Sequence, residues 1–364
     1  MKSSLESYWR AMADGSNRSP GARLLTLVLL PVALLYGALL GLRPLFYRWR
    51  LFATHRLPVP VISIGNITVG GTGKTPVTAL VAKLLMDQGL KVAVLSRGYG
   101  GSLEGSCAVV SDSGSLLLTP QQCGDEPYLL ARSLPGLSVV VGADRYRAGQ
   151  LAVRQLSPDV FLLDDGFQHL RLHRNLNILL LDCRRPFGNG LSLPAGLLRE
   201  PRGAAQRADL LILTRCNDAA PAVVLPDRPC CHSRHRLVSF QRLDNGAPLD
   251  VSLLAAARTV AFAGIADPAG FFGALEAAGI RPVTRLPLPD HEPYGGETLG
   301  LLEQMQQTAQ AEWLLTTEKD AVKLLAVNER LRSRIVAARL AVELEDEAPL
   351  RQALERIVRQ RRTP

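Results

Sequence analysis

The stretch Val61–Pro76, VISIGNITVGGTGKTP, decides the fold. It opens with a short apolar, β-branched run, turns through glycines, and continues from Lys74-Thr75 into a helix-forming segment. A buried strand, a glycine-rich turn and a helix carrying GKT is the setting of a phosphate-binding loop. In it, Thr68, Val69, Gly70, Gly71, Thr72 and Gly73 would wrap phosphate oxygens with successive backbone N–H groups, aided by the helix N-terminus. Lys74 would reach the β and γ phosphates of ATP, and Thr75 would hold Mg²⁺. Pro76 fits the first turn, where its missing N–H would be unpaired anyway. The strict GxxxxGK[ST] pattern wants glycine at 68 and this chain has Thr68, so Gly70 and Gly71 must supply the flexibility.

Working outward, apolar runs at 59–65, 91–98, 138–142, 159–166, 176–182 and 208–215 alternate with helical segments at 75–89, 127–133 and 144–155. Runs that are apolar at every position suit a parallel sheet buried on both faces. Alternation with helices predicts a doubly wound α/β domain. A shorter series follows at 236–243, 258–266, 282–289, 312–321 and within 334–345, then a basic amphipathic helix over 349–361. The flanking runs at 236–243 and 338–345 are expected to pair as a two-stranded connector. The predicted division is 1–55, a membrane-associated segment; 56–235, the phosphate-loop domain; 236–345, a smaller α/β domain with its linker strands; and 346–364, a C-terminal basic helix.

Residues 24–42 form nineteen uncharged positions, LLTLVLLPVALLYGALLGL. At 1.5 Å per residue this just matches a hydrocarbon core of about 30 Å, and Pro31 is expected to kink it. Arginines flank both ends, so orientation is not legible. A helix lying in the interface, a single span and a buried docking helix all remain open.

The net charge is +9, from 42 basic and 33 acidic residues, and +6 of it falls within residues 1–56. Basic charge gathered around a greasy segment suits an anionic membrane surface. The folded body lacks the basic concentration a duplex binder needs, and aromatics at 5% argue against a stacking platform. No nucleic-acid partner is expected. The six cysteines form no CxxC, and a body of this size needs no staples, so a reducing cytoplasm is expected. Cys230-Cys231-His232 has no second ligand pair at finger spacing, which favours an Arg-rich loop over zinc.

Asp164 and Asp165, in FLLDDGFQH, end a buried run, where two repelling carboxylates suit a cation such as Mg²⁺. Gln168 and His169 follow on the same turn. Asp125 and Glu126, in GDEP, stand at a helix start, as ordinary N-terminal charges or as functional acids. Asp290, His291 and Tyr294 lie on a Pro-rich loop, either solvated or supplying a base for a hydroxyl acceptor. Thr317, Lys319 and Asp320, in TTEKDA, are similar to a base-reading Lys–Asp turn or are an ordinary turn.

Together NITVGGTGKTP, LSRGYG (95–100), GDEP, GADR (142–145), DDGFQH, PFGNG–LPAGLLREP (186–201), PDH and TTEKDA resemble the tetraacyldisaccharide 4′-kinase family. The resemblance runs from about 60 to 323. It implies ATP-dependent phosphorylation of the 4′-hydroxyl of a lipid A disaccharide 1-phosphate at the inner face of the bacterial inner membrane, without an obligate protein partner. It implies a catalytic dyad of Asp125 and His291, and Mg²⁺ served by Asp164 and Asp165, with Glu126 beside them. Arg97, Arg145, Arg147, Arg171 and Arg174 are candidates for the substrate's phosphate. Two other readings compete: a partition-type or metal-chaperone GTPase or ATPase, and a nucleotide-gated membrane adaptor.

Overall fold

The computed structural model describes residues 2–217, 225 and 227–362. Residues 363 and 364, the end of the expected C-terminal segment, lie outside the described residues. The chain runs α1 (Lys2–Ala13), α2 (Pro20–Arg48), β1 (Val61–Asn66), α3 (Lys74–Met86), β2 (Val92–Ser96), β3 (Ala108–Asp112), α4 (Pro120–Cys123), α5 (Asp125–Ser133), β4 (Ser138–Val141), α6 (Arg145–Leu156), β5 (Val160–Asp164), β6 (Leu176–Asp182) and β7 (Leu210–Thr214). It continues through β8 (Cys230–Arg242), β9 (Pro248–Leu249), α7 (Val251–Ala256), β10 (Thr259–Ala263), α8 (Pro268–Ala277), β11 (Thr284–Pro287), α9 (Gly296–Thr308), β12 (Trp313–Thr317), α10 (Glu318–Ala321), α11 (Glu329–Arg332), β13 (Ile335–Leu344) and α12 (Ala348–Arg362).

One continuous sheet runs in the order β11-β10-β12-β13-β8-β7-β6-β1-β5-β2-β4-β3. From β8 to β4 every pairing is parallel, and the runs read as uniformly apolar are buried on both faces, as in β1, β2, β4, β5 and β7. This is the α/β, doubly wound arrangement expected, with β3 added as an antiparallel edge.

Between its two parallel groups the sheet reverses direction, at the β8–β13 pairing. β8 is parallel to β7 through Cys230–His232, then runs on and pairs antiparallel with β13, from Ser233 opposite Leu344 to Arg242 opposite Val336. β12 and β10 follow the direction of β13. The two parallel groups therefore point their C-terminal ends at each other, and loops leaving those ends face one another across the gap. Ligands of open parallel sheets bind outside the carboxyl ends of the strands.

α12 lays Leu350, Ala353, Leu354 and Ile357 into the larger core together with Val77, Val81 and Ile212. α2 runs unbroken through Pro31 and Pro44, so the expected kink does not end the helix. Along it Leu24 (65%), Val28 (66%) and Leu35 (64%) are exposed. It is the one helix among the described residues long and apolar enough to cross a membrane. Its exposure removes the buried docking-helix alternative.

Two parts of the cysteine reading change, the absence of a staple and the loop at Cys230–His232. Asp182 pairs with Thr214 across β6 and β7, and just beyond them Cys183 and Cys216 form a disulfide. Cys230 to His232 are strand residues opposite Leu211–Leu213 rather than a loop. Burial pushes the Cys231 thiol up to about 11, unsuited to a thiolate ligand. No group of three or more His, Cys, Asp or Glu is placed to hold a metal among the described residues.

Candidate active site

The phosphate loop leaves β1 and is braced from both sides. Asn66 Nδ2 donates to Thr72 Oγ1 at 2.9 Å, and Val69 N–H donates to the Leu197 carbonyl at 2.8 Å. Gly70 and Gly73 hold φ of +121° and +77°, conformations that a side chain would strain. Gly73 caps α3, so Lys74 and Thr75 enter the helix directly. Lys74 Nζ stands 3.9 Å from Asp165 Oδ1, which brings the two sequence motifs into one site.

The two acids at the end of β5 have different surroundings. Asp164 is buried and accepts from Thr78 Oγ1 at 3.1 Å. Burial first, then the negative charges of Glu126 and Asp165, push its pKa up to about 7. Burial also pushes the Asp165 carboxyl upward, but Lys74 and then Arg199 outweigh it and hold it below the ordinary range. Arg199 Nη1 donates to Asp165 Oδ2 at 2.9 Å, whereas Oδ1 is buried with no hydrogen-bond partner. An orphaned carboxylate oxygen beside an acid that resists ionisation suits a hard cation. Asp164 and Asp165 therefore fit Mg²⁺, which keeps few protein ligands and takes the rest from phosphates and water. Glu126 fits less well, since Lys319 Nζ stands 3.0 Å from its Oε1.

Across the gap, His291 Nδ1 donates to Asp125 Oδ2 at 3.3 Å. Asp125 begins α5, while His291 sits in the loop after β11 with φ of +61°, an uncommon backbone for a non-glycine residue. His291 N–H donates to the Gly264 carbonyl at 3.2 Å, which holds that turn. Lys323 Nζ is 3.2 Å from the same Asp125 oxygen. Burial pushes Asp125 upward, but the His291 hydrogen bond and the Lys323 charge outweigh it and keep it below the ordinary carboxylate range. Lys319 Nζ donates to His291 Nε2 at 3.3 Å and to Asp290 Oδ1 at 3.5 Å. Burial pulls Lys319 down, but Glu126 and Asp290 outweigh it and raise its pKa, so it stays charged. Nε2 accepts from the Lys319 ammonium, so Nδ1 is the ring nitrogen that donates toward Asp125.

The TTEKDA residues have partners within the fold. Thr317 Oγ1 donates to Asp320 Oδ2 at 2.8 Å, and that oxygen also accepts the Gly264 N–H at 3.0 Å. Asp320 is fully buried, and its carboxylate braces these loops. Lys319 serves the His291 network. No short-range signal announces this, because Glu126 is 193 residues away.

The remaining candidates separate. Gln168 Nε2 donates to the Asn66 carbonyl at 2.8 Å and ties the acidic turn to β1. Burial, then Arg145, drop His169 to about 4, so it is neutral. Arg174 is spent on the carbonyls of Gly166 and Phe167. Arg171 and Arg147 both pair with Asp144, and Arg97 with Glu104. Arg145 is buried near Asp164 and Asp165. Sequence reasoning missed Arg199, which lies in the quoted LREP motif, and Lys323, next to TTEKDA.

α1 belongs to this region. Trp9 Nε1 donates to the Pro194 carbonyl at 2.8 Å, Asp14 pairs with Arg185 at 2.6 Å, and Arg10 Nη1 donates to the Ala266 carbonyl at 2.8 Å. The N-terminal helical segment is thus seated on the 186–201 loop beside the phosphate loop.

The comparisons with known proteins agree with this geometry. A family described as tetraacyldisaccharide-1-P 4′-kinase matches residues 25–359. The tetraacyldisaccharide 4′-kinase of Pelobacter propionicus is 53% identical over 98% of this chain and 99% of its own length. That of Geobacter sulfurreducens is 49% identical over 96% and 99%. The crystal structure of LpxK from Aquifex aeolicus in complex with ATP superposes with a TM-score of 0.78 at 37% identity, covering 92% of this chain and 99% of that one. These likenesses run the length of the chain and decide against the partition-type NTPase and the membrane adaptor. The chain belongs to the tetraacyldisaccharide-1-phosphate 4′-kinase family.

Proposed function

We propose that this protein moves the γ-phosphoryl group of ATP to the 4′-hydroxyl of a lipid A disaccharide 1-phosphate at the cytoplasmic face of the bacterial inner membrane. The observation that carries the reading is the Asp125–His291 pair, at 3.3 Å, delivered from opposite sides of the gap next to the phosphate loop. An enzyme that only hydrolysed nucleotide would have less need of a dedicated base for an alcohol.

In this reading the loop from Thr68 to Thr75 holds the phosphates and Lys74 bridges the β and γ groups. Asp125 takes the proton of the 4′-hydroxyl as the new O–P bond forms and the bond to the β-phosphate oxygen breaks, releasing ADP. His291 orients Asp125 and keeps it anionic, together with Lys323. Bound Mg²⁺, held by Asp164, Asp165 and Thr75, would offset phosphate charge. Transfer of this kind is mostly positioning and electrostatics. The same reading divides the chain at 55/56, 235/236 and 345/346, with β8 and β13 as the connector.

The exposed leucines and valines of α2, with Arg18, Arg23, Arg43, Arg48 and Arg50 around them, suit an anionic bilayer surface. A lipid acceptor stays in that surface, so the enzyme meets it there. The test is ³²P transfer from γ-labelled ATP to a tetraacyl disaccharide 1-phosphate in detergent micelles. Label appearing at the 4′ position supports the assignment. ATP hydrolysis indifferent to added disaccharide overturns it.

A further inference from the structure

β8 is the strand by which the sheet passes from one parallel group to the other, and it does so beside the phosphate loop. Its pairing with β7 ends at His232, after which it projects past the carboxyl edge of the larger group. His235 is the third residue of that projection. Its imidazole lies against Gly73, where a Cβ would meet Cε1 at 2.8 Å and Nε2 at 2.9 Å. The loop glycine is thus closed off by a ring from the connector strand.

The ring is held in place and yet incompletely satisfied. Asn217 fixes its backbone on both sides, donating to the His235 carbonyl at 3.0 Å and accepting its N–H at 3.2 Å. Nε2 is buried and has no hydrogen-bond partner. Buried polar atoms in native proteins are almost always paired, so an orphan beside a ligand loop marks a position whose partner arrives with the ligand.

A second contact runs parallel to it. Arg215, just past the end of β7, bridges Asp182 at 2.7 Å and Asp267 at 2.7 Å. Asp267 caps α8 through the Gly270 N–H at 3.0 Å, and its neighbour Ala266 lies against Gly71, where a Cβ would approach to 3.3 Å. Two glycines of one loop are therefore covered by the connector strand and by the β10–α8 turn. The turn is anchored back to the strand ends through Arg215. Gly264, the residue after β10, holds His291 through its carbonyl.

We propose that His235 is a positioning residue for phosphoryl transfer, carrying the loaded state of the phosphate loop into the connector strand β8 and, through the strand group attached to it, to the loop that sets His291 beside Asp125. Filling the loop with phosphate satisfies Nε2, directly or through the reordered loop, and fixes β8 relative to the loop. The smaller parallel group follows β8 through β13, β12 and β10. His235 acts through Gly73 and the connector, so its loss reduces turnover more than nucleotide binding.

The test uses the full-length enzyme in detergent micelles. His235→Ala should lower kcat about tenfold, as expected when a reacting group is misplaced by a fraction of an ångström, with KM for ATP changed less than twofold. His235→Gln, which keeps a polar atom near Nε2, should recover part of the loss. In the ¹⁵N-histidine spectrum of the wild type, the ring resonance missing from His235→Gln should shift when Mg²⁺ and a non-hydrolysable ATP analogue are added. A kcat in His235→Ala within twofold of wild type overturns the proposal. So does a ring resonance that stays in place on saturation with the analogue, a result that stands even where the alanine variant fails to fold.

Discussion

His291 Nδ1 and Asp125 Oδ2 are 3.3 Å apart although 166 residues separate them in sequence. The reversal of the sheet between β8 and β13 makes this possible, because it turns the carboxyl ends of two parallel strand groups toward each other. Each residue alone has an ordinary structural explanation, as a helix-start acid or a loop histidine. Their convergence beside the phosphate loop gives them a joint one.

Lys323 is expected to set the acid limb of the reaction. Its ammonium, with His291, holds Asp125 anionic against burial. Lys323→Met leaves burial in place and removes a charge, so the Asp125 pKa rises. The base is then lost at a higher pH on acidification, and the acid limb of the kcat profile should move upward. A profile superimposable on wild type would show that Lys323 has no electrostatic hold on the base.

Mg²⁺ affinity should depend on pH through Asp164. Burial and neighbouring charge raise its pKa to about 7, so below that pH a proton competes with the cation. Apparent Mg²⁺ affinity is expected to increase as pH rises from 6 to 8, and Asp164→Asn should flatten the dependence. The sign for stability is opposite. A native carboxyl raised above its unfolded value binds more protons than the unfolded chain between about 4 and 7, so its contribution to stability falls as pH rises through that window. Calorimetric Mg²⁺ titrations and melting curves at several pH values check both directions.

Lys74→Ala should lower phosphoryl transfer at least a hundredfold while melting within a few degrees of wild type, because the side chain faces Asp165 and the loop instead of the core. Transfer at the wild-type rate would mean that the loop does not hold the reacting phosphates.

The membrane role of α2 is tested without deleting it, since α1 and α2 are seated on the site loops. Leu24→Ser combined with Leu35→Ser changes two exposed residues and no core contact. Binding to anionic vesicles should fall severalfold and ATP KM should stay within twofold. Unchanged vesicle binding would contradict a membrane-facing α2.

Much of the fold was legible because buried parallel strands are mostly apolar, as VISIG and VFLL are. The phosphate loop was legible because its glycines and GKT are contiguous. β3, only half-buried at an edge, and α9, with Leu302 as its one fully buried residue, carry too thin an apolar pattern to stand out. The contacts of Lys319 and Lys323 depend on partners brought from the other side of the gap, so TTEKDA does not announce its place beside His291. The Cys183–Cys216 disulfide was hidden for the same reason, since strand neighbours 33 residues apart look unrelated in sequence.

The most direct measurement is a double-mutant cycle on kcat at saturating ATP and lipid disaccharide, using Asp125→Ala, His291→Ala and the double variant. Members of one catalytic unit are not additive. The account predicts that each single change lowers kcat with little effect on ATP KM, and that the double variant is about as slow as the worse single one. Losses that multiply would show that Asp125 and His291 act independently, and would contradict a site assembled from both sides of the gap.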